Sequence, residues 1–129
     1  MPIKYKVIER GDPRDKNAPK KFYATVVNDG ELDLPSIGKR LEKRSGVNSI
    51  DVNAVLLGLV QLAQEEITEG GRTIRLGDLG SLAVSISSEG SDKAEDVSSN
   101  NIRGIKLIFR PSKALKDALK VVSYKKVDG

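Results

Sequence analysis

The sequence predicts an α+β fold in a chain of 129 residues. Three observations indicate this class. Short segments alternate apolar and polar residues, as in IKYKVI near the start and in LAVSIS and IKLIF further along. A broad apolar stripe at helical spacing follows Asn48, and a basic, helix-forming segment follows Pro111. Strands and helices therefore occur in separate runs, an order typical of α+β domains.

The first 30 residues are predicted to form two strands. The first strand places Ile3, Tyr5 and Val7 on one face and lysines on the other. Residues 10–19 contain two prolines, a glycine and an asparagine, which favour a loop. Residues 21–27, KFYATVV, are predicted to be the second strand. The two strands form either a hairpin or separate edges of one sheet.

The first helix is predicted to begin at Asp33, whose carboxylate can cap free backbone N–H groups. Pro35 fits the first helical turn, because its missing N–H would have no partner there. Basic residues gather towards the carboxyl end, where the helix dipole favours them, and Gly46 is a natural end.

The second helix is predicted from Asn48 or Ser49 to the Gly70-Gly71 pair. Its apolar stripe is broad and comprises Val52, Val55, Leu56, Leu59, Leu62, Ala63 and Ile67, widened by Val60. Aromatic residues make up only 4% of the chain, so a small core would be marginal in a monomer. A stripe this broad indicates burial against more than one neighbour, and a second subunit is one way to supply it.

A β-hairpin with a long arm is predicted next. RTIRL leads into the tight turn Gly77-Asp78-Leu79-Gly80-Ser81, and two alternating strands follow. Their apolar positions are Leu82, Val84 and Ile86 on one strand and Ile105, Leu107 and Phe109 on the other. Residues 87–101 are polar and too long for a tight turn, so we expect a mobile arm or loop. After Pro111 a short helix follows, and the tail VVSYKKVDG either pairs as a strand or stays frayed.

Composition argues against an enzyme. The chain has no Cys and no His, which removes disulfides, thiolate metal sites and the commonest general base. The acidic cluster Asp92, Glu95 and Asp96 lacks the ligand spacing of an EF-hand, so a solvated loop is favoured over a Ca²⁺ site. We therefore expect no catalytic residues, no metal, no cofactor and no small-molecule substrate. Neither a signal peptide nor a membrane span is predicted, which leaves a cytoplasmic location as the expectation.

Charge is distributed unevenly along the chain. The net charge is +4 overall, with +4 in residues 1–44, −6 in residues 45–100 and +6 in residues 101–129. Even spacing places Lys106 and Arg110 on one face of a strand. The residues Lys113, Lys116 and Lys120 share one helical face. This set is either a stripe that binds phosphates or a solvated face that keeps the protein soluble.

Two segments of this region carry a family resemblance. Leu79-Gly80-Ser81-Leu82 is similar to the Gly-Phe-Gly-Ser/Thr-Phe turn of the HU/IHF family of bacterial histone-like DNA-binding proteins, with Leu at both Phe positions. The segment from Phe109 to Lys116 is similar to the family's Phe-Lys-Pro-Gly-Lys-x-Leu-Lys. The resemblance covers roughly residues 31–120 and implies an intertwined homodimer in which two helices, a hairpin arm and a short C-terminal helix follow one another.

The chain departs from the family in its arm and at its start. The family arm is Arg-rich and ends in an Arg-Asn-Pro tip whose proline intercalates into DNA. Between Ser87 and Gly104 this chain has no proline, and its charges there give a net of −2. An acidic arm would be repelled by a DNA groove. The first 30 residues have no counterpart in short family members and resemble the strand extension of a divergent HU-like branch.

The resemblance implies non-catalytic, sequence-nonspecific binding of double-stranded DNA, of an architectural and nucleoid-associated kind, through backbone phosphates. The predicted DNA-binding residues are Arg110, Lys113, Lys116, Lys106, Lys120, Gly80, Ser81 and Arg103. The predicted organisation is a strand extension at 1–30, an HU-like domain at 31–120 and a tail at 121–129. The alternative is an HU-like module reused for protein–protein interaction or structural assembly, with weak or no DNA binding.

Overall fold

The computed structural model describes residues 1–128, and Gly129, the last residue of the predicted tail, lies outside them. The fold is α+β, as predicted, with three α-helices and two small sheets. Its elements are β1 (Ile3–Arg10), β2 (Lys21–Val26), α1 (Leu34–Ser45), α2 (Ser49–Gly70), β3 (Ile74–Arg75), β4 (Gly80–Ser88), β5 (Ile102–Pro111), α3 (Lys113–Lys120) and β6 (Tyr124–Lys126). They form two compact units, one of Met1–Asp33 with the chain from Ala118 onward, the other of Leu34–Asp117.

The first unit is a three-stranded sheet in the order β2-β1-β6. β1 and β2 pair antiparallel from Tyr5 opposite Val26 to Arg10 opposite Lys21, so the predicted strands form a hairpin. β6 lies parallel to β1 on its other side, with Ile3 opposite Tyr124. The tail therefore pairs as a strand, which settles the two alternatives that its sequence left open.

The second unit begins with the two predicted helices. α1 follows Asp33 directly and ends before Gly46, which has a positive φ of 76°. Asn48 caps α2 because its side-chain oxygen accepts a hydrogen bond from the Asp51 N–H at 3.0 Å. Gly71 ends α2 in the left-handed conformation, and its N–H donates to the Ile67 carbonyl at 3.1 Å.

The second sheet has the order β3-β4-β5, all antiparallel. Leu82 lies opposite Phe109, Val84 opposite Leu107, and Ile86 opposite Ile105. Residues opposite each other in an antiparallel pair point to the same face, so the predicted apolar face of the hairpin is confirmed.

The segment predicted as a long arm adds no strand pairing beyond Ser88 and Ile102. It instead folds into two short 3₁₀ turns, Ala94–Asp96 and Ser99–Asn101. The Asn101 side chain holds the segment together by donating to the Ser91 hydroxyl at 3.0 Å. Local polar contacts therefore give the hairpin a compact loop at its end, and the mobility of this loop stays a prediction.

Apolar side chains are largely uncovered in the single chain. Within residues 1–128 no hydrophobic side chain is fully buried. The exposed residues include Val55 (72%) and Leu62 (53%) of the α2 stripe and Ile105 (68%) of the hairpin. Among the described residues, no helix is both long enough and apolar enough to span a membrane.

Candidate nucleic-acid interface

Two segments that stand far apart in the sequence meet at Ser112. The Ser112 N–H donates to the Leu79 carbonyl at 3.2 Å, and its hydroxyl donates to the Asp78 carbonyl in a short hydrogen bond. The same hydroxyl accepts from the Leu115 N–H at 3.0 Å and so caps α3. One side chain thus connects the Gly77–Gly80 turn to the start of the basic helix.

Gly80 makes the close contact between turn and strand possible. It is buried, has a φ of 147° and lies opposite Pro111 in the ladder. A Cβ at this position would lie 2.8 Å from the Phe109 ring and 3.0 Å from Pro111 Cα. Only glycine fits here, which explains why the turn motif requires it.

A row of three polar residues crosses the sheet beside this turn. Arg75 of β3 lies opposite Ser81 of β4, which lies opposite Arg110 of β5. Cross-strand partners share a face, so two guanidinium groups lie on either side of one hydroxyl. Both arginines are exposed, and Ser81 is half-buried. The row also lines a shallow concavity with Gly77, Asp78, Gly80, Pro111 and Ser112.

The same face continues along the hairpin. Ser85 pairs with Lys106, and Ala83 pairs with Ile108 between that pair and the arginine row. Lys106 and Arg110 therefore share a face, as their spacing predicts. The opposite face is apolar from Leu82 and Phe109 to Ile86 and Ile105, so Lys106 and Arg110 both lie on the polar face of the hairpin.

The three predicted helix lysines lie on α3. Lys113 is its first residue, immediately after the Ser112 cap, and Lys116 follows one turn later. Their positions in the helix place them on one face. Lys120 ends the helix and belongs to the first unit, whereas Lys113 and Lys116 belong to the second.

Arg103 has a different environment from the other predicted residues. Its guanidinium forms a close ion pair with the Glu89 carboxylate across the base of the loop. Glu89 is further fixed by its backbone, because its N–H donates to the Asn101 carbonyl at 2.8 Å. The loop therefore supplies its own counterion to Arg103.

Arg75 is the residue that the sequence reasoning missed. It stands between Ile74 and Leu76, so alternation alone puts it on the polar face of its strand. Its pairing with Ser81 is not visible in the sequence, because β3 has only two residues. The sequence signal for Arg75 is therefore its place between two apolar residues, two positions before the Gly77 turn.

Comparison with known proteins supports an HU-like reading of this arrangement. A family model described as an HU domain fused to wHTH, Ig or glycine-rich motif matches residues 1–126. A crystal structure of a provisionally assigned bacterial DNA-binding protein from Bacteroides vulgatus matches with a TM-score of 0.60 and 17% identity. The match covers 97% of this chain and 48% of that one, so this chain spans about half its length. Identity this low shows a shared fold. No curated protein matches.

Proposed function

Because the chain belongs to the family of HU domains fused to wHTH, Ig or glycine-rich motifs, we propose that it binds double-stranded DNA without catalysis and without sequence preference. The role is architectural, and the location is the cytoplasm, on the nucleoid. Contacts are made to backbone phosphates, which fix the protein on the duplex without reading base edges.

The Arg75–Ser81–Arg110 row carries this proposal. Two exposed guanidinium groups and a hydroxyl on one sheet face suit phosphate oxygens, because Arg presents paired donors in a planar fork. Lys106 extends the row along the hairpin, and Ser112 fixes the basic helix beside it. We define the hairpin stripe as the cations Arg75, Lys106, Arg110, Lys113 and Lys116.

The acting form is a homodimer. The α2 stripe and the apolar hairpin face both carry exposed side chains in the single chain, among them Val55, Leu62 and Ile105. Each exposed side chain of this size gains roughly 1.5–3 kcal/mol when it is buried. A second copy would cover both faces at once and bring two hairpin stripes into one particle.

A salt-dependent titration with duplex DNA tests the proposal. We expect the parent protein to bind two unrelated duplexes with equal affinity and a steep salt dependence. The triple variant Arg110→Ala, Lys113→Ala, Lys116→Ala removes six cations from a dimer, so the log–log salt slope should flatten by up to about five units. A parent protein that binds no duplex at low salt would refute the proposal.

The missed arginine provides a sharper comparison. Arg75→Ala should weaken binding to both duplexes alike, because the contact is to phosphate. Arg72→Ala is the matched control, since Arg72 lies three residues earlier and its guanidinium is held by Glu66 at 2.9 Å. Equal losses in the two variants would mean that net charge, and not the arginine row, determines affinity.

The loop supports a second candidate function, a module for protein interaction. Its carboxylates, Glu89, Asp92, Glu95 and Asp96, lie on an internally hydrogen-bonded scaffold, and Glu89 neutralises Arg103. Such a surface repels DNA and suits a basic protein partner. If duplex binding fails while the folded dimer persists, this function takes the place of the first.

A further inference from the structure

The sheet of the first unit separates its side chains into two unlike faces. β1 and β2 pair with Lys6 opposite Thr25, Ile8 opposite Tyr23 and Arg10 opposite Lys21. On the other side β1 pairs with β6, which places Lys4 opposite Lys125. Since paired residues share a face, one face is largely apolar but also holds Glu9 and Lys126. The other, the basic sheet face, carries Lys4, Lys6, Ile8, Arg10, Lys21, Tyr23, Thr25 and Lys125.

The basic sheet face carries almost no balancing charge. Within the strands as the structure describes them, none of its eight positions is Asp or Glu. Lys4 has an acidic partner from outside the strands, because its Nζ lies 3.1 Å from Asp29 Oδ1. Like charges on neighbouring strands repel one another. A bound polyanion would relieve that repulsion.

The spacing of these cations suits a regular row of phosphates. Residues two apart on a strand are separated by roughly 6.6 Å, and neighbouring strands by about 4.8 Å. Lys4, Lys6 and Arg10 run along β1, with Lys21 and Lys125 on the two flanking strands. The cations therefore spread over all three strands, with a gap at Ile8 between Lys6 and Arg10, and a single small anion would meet only part of them.

Tyr23 lies within this array and adds a second kind of contact. It sits opposite Ile8, is 47% exposed, and its ring lies under the Arg10 guanidinium at 6.0 Å from the centroid. The cation–π contact orients Arg10 towards the face. Tyrosine and threonine hydroxyls are common donors to phosphate, and Thr25 is on the same face.

We propose that the basic sheet face is a second DNA-binding surface, which contacts backbone phosphates through Lys6, Arg10, Lys21 and Lys125, with Tyr23 and Thr25 as hydroxyl donors. The inference rests on the proposed function, and it adds a binding site in the first unit to the hairpin stripe of the second. The ligand is duplex DNA because the cations spread over three strands and suit many phosphates, whereas a peptide partner would need an apolar pocket for an anchoring side chain.

The test removes four charges from this face and compares the result with four removed elsewhere. The face variant carries Lys6→Gln, Arg10→Gln, Lys21→Gln and Lys125→Gln. The control variant carries Lys39→Gln, Arg40→Gln, Lys43→Gln and Lys93→Gln, which are exposed residues of α1 and the loop. We expect the face variant to bind duplex DNA at least about tenfold more weakly at ~150 mM salt, with a salt slope at least about two units flatter. The control should change both by much less.

A charge-preserving variant guards against misfolding. Lys6→Arg, Lys21→Arg and Lys125→Arg keep the cations on the face and should bind as the parent does. A different result is that the parent binds DNA through Arg110, Lys113 and Lys116 while the face and control variants bind with equal affinity. That result would overturn this inference and leave the proposed function intact. A parent with no duplex binding would overturn both. Displacement of duplex from this face by polyglutamate at equal charge concentration would reassign it to an acidic protein and also overturn the inference.

Discussion

Gly38 of α1 lies directly against the side chain of Asn53 of α2. A Cβ at Gly38 would be 2.9 Å from Asn53 Cγ and closer still to Oδ1. Gly38 is buried, and Asn53 Oδ1 is buried with no hydrogen-bond partner in the part of the chain that the structure describes. The two helices therefore approach each other at the one position where α1 has no side chain.

Gly38→Ala should lower the free energy of unfolding by about 1–3 kcal/mol, because the new methyl group forces the helices apart. Alanine also favours the helix by up to about 1 kcal/mol, which opposes this loss. Gly58→Ala measures the gain from helix propensity alone, since nothing lies within 4 Å of a Cβ at that helical position. Urea denaturation measures both. The double variant Gly38→Ala, Asn53→Ala should recover stability, and a failure to do so would locate the strain elsewhere.

Gly80→Ala should be more damaging, with a loss of about 3 kcal/mol or more. The substitution combines a positive φ of 147° with a collision against the Arg110 carbonyl, and neither can relax without opening the ladder. Gly90→Ala in the loop has free space around it and should be nearly neutral. Thermal unfolding compares the two. Similar melting temperatures would show that the turn tolerates a side chain.

Ser112→Ala should cost about 1–2 kcal/mol, because α3 loses its cap and the turn loses its hydrogen bond to the Ser112 hydroxyl. Ser112→Thr keeps the hydroxyl and should recover most of the loss. Amide exchange at Leu115 provides a local measurement. Unchanged protection there in the alanine variant would contradict the capping role.

Leu59→Asp should abolish dimerisation and folding together, because the carboxylate would be buried without a partner in the shared core. Gln61→Asp is the matched control, since Gln61 is exposed and lies nearly opposite Leu59 around the helix. Light scattering at micromolar concentration should give a dimer mass for the parent and the control. A monomer mass for the parent would refute the homodimer.

Replacing residues 89–101 with Asn-Gly should leave DNA affinity unchanged or raise it. The change removes four carboxylates and one lysine, releases Arg103 from Glu89, and closes β4 onto β5 with a two-residue turn. A mobility-shift titration beside the Arg110, Lys113 and Lys116 triple variant measures the effect. Loss of binding in the loop variant, with normal binding in the triple variant, would place DNA on the loop and not on the hairpin stripe.

Local signals in the sequence predict most of the elements. Asn48 and Gly71 bound α2 because capping is a property of adjacent residues, and Ser112 caps α3 for the same reason. Contacts that depend on the register of paired strands cannot be predicted from adjacent residues. Arg75 joins Arg110 only through the pairing of both strands with β4, and Lys125 reaches the basic sheet face only because β6 runs parallel to β1.

The loop shows a different limit of sequence reasoning. Its polar composition predicts a segment with little apolar area, and from this we expected a mobile arm or loop without choosing between them. Short-range hydrogen bonds from Asn101 and Ser98 instead fold it into turns. Contact between DNA and the hairpin stripe is a prediction, which Arg75→Ala and the Arg110, Lys113 and Lys116 triple variant test.

The pairing of β6 with β1 has a consequence for the order of folding during synthesis. β1 is synthesised before α1, α2 and the hairpin, and β6, which covers the free edge of β1, is synthesised after them. The helices and the hairpin of Leu34–Asp117 make their contacts within that segment. They can therefore fold before β6 pairs with the free edge of β1. An unpaired strand edge is a template for association with other chains. β1 thus keeps an edge open to other chains until β6 has been synthesised and has paired with it. Pulse-labelled amide exchange during refolding should find β4 and β5 protected before β1.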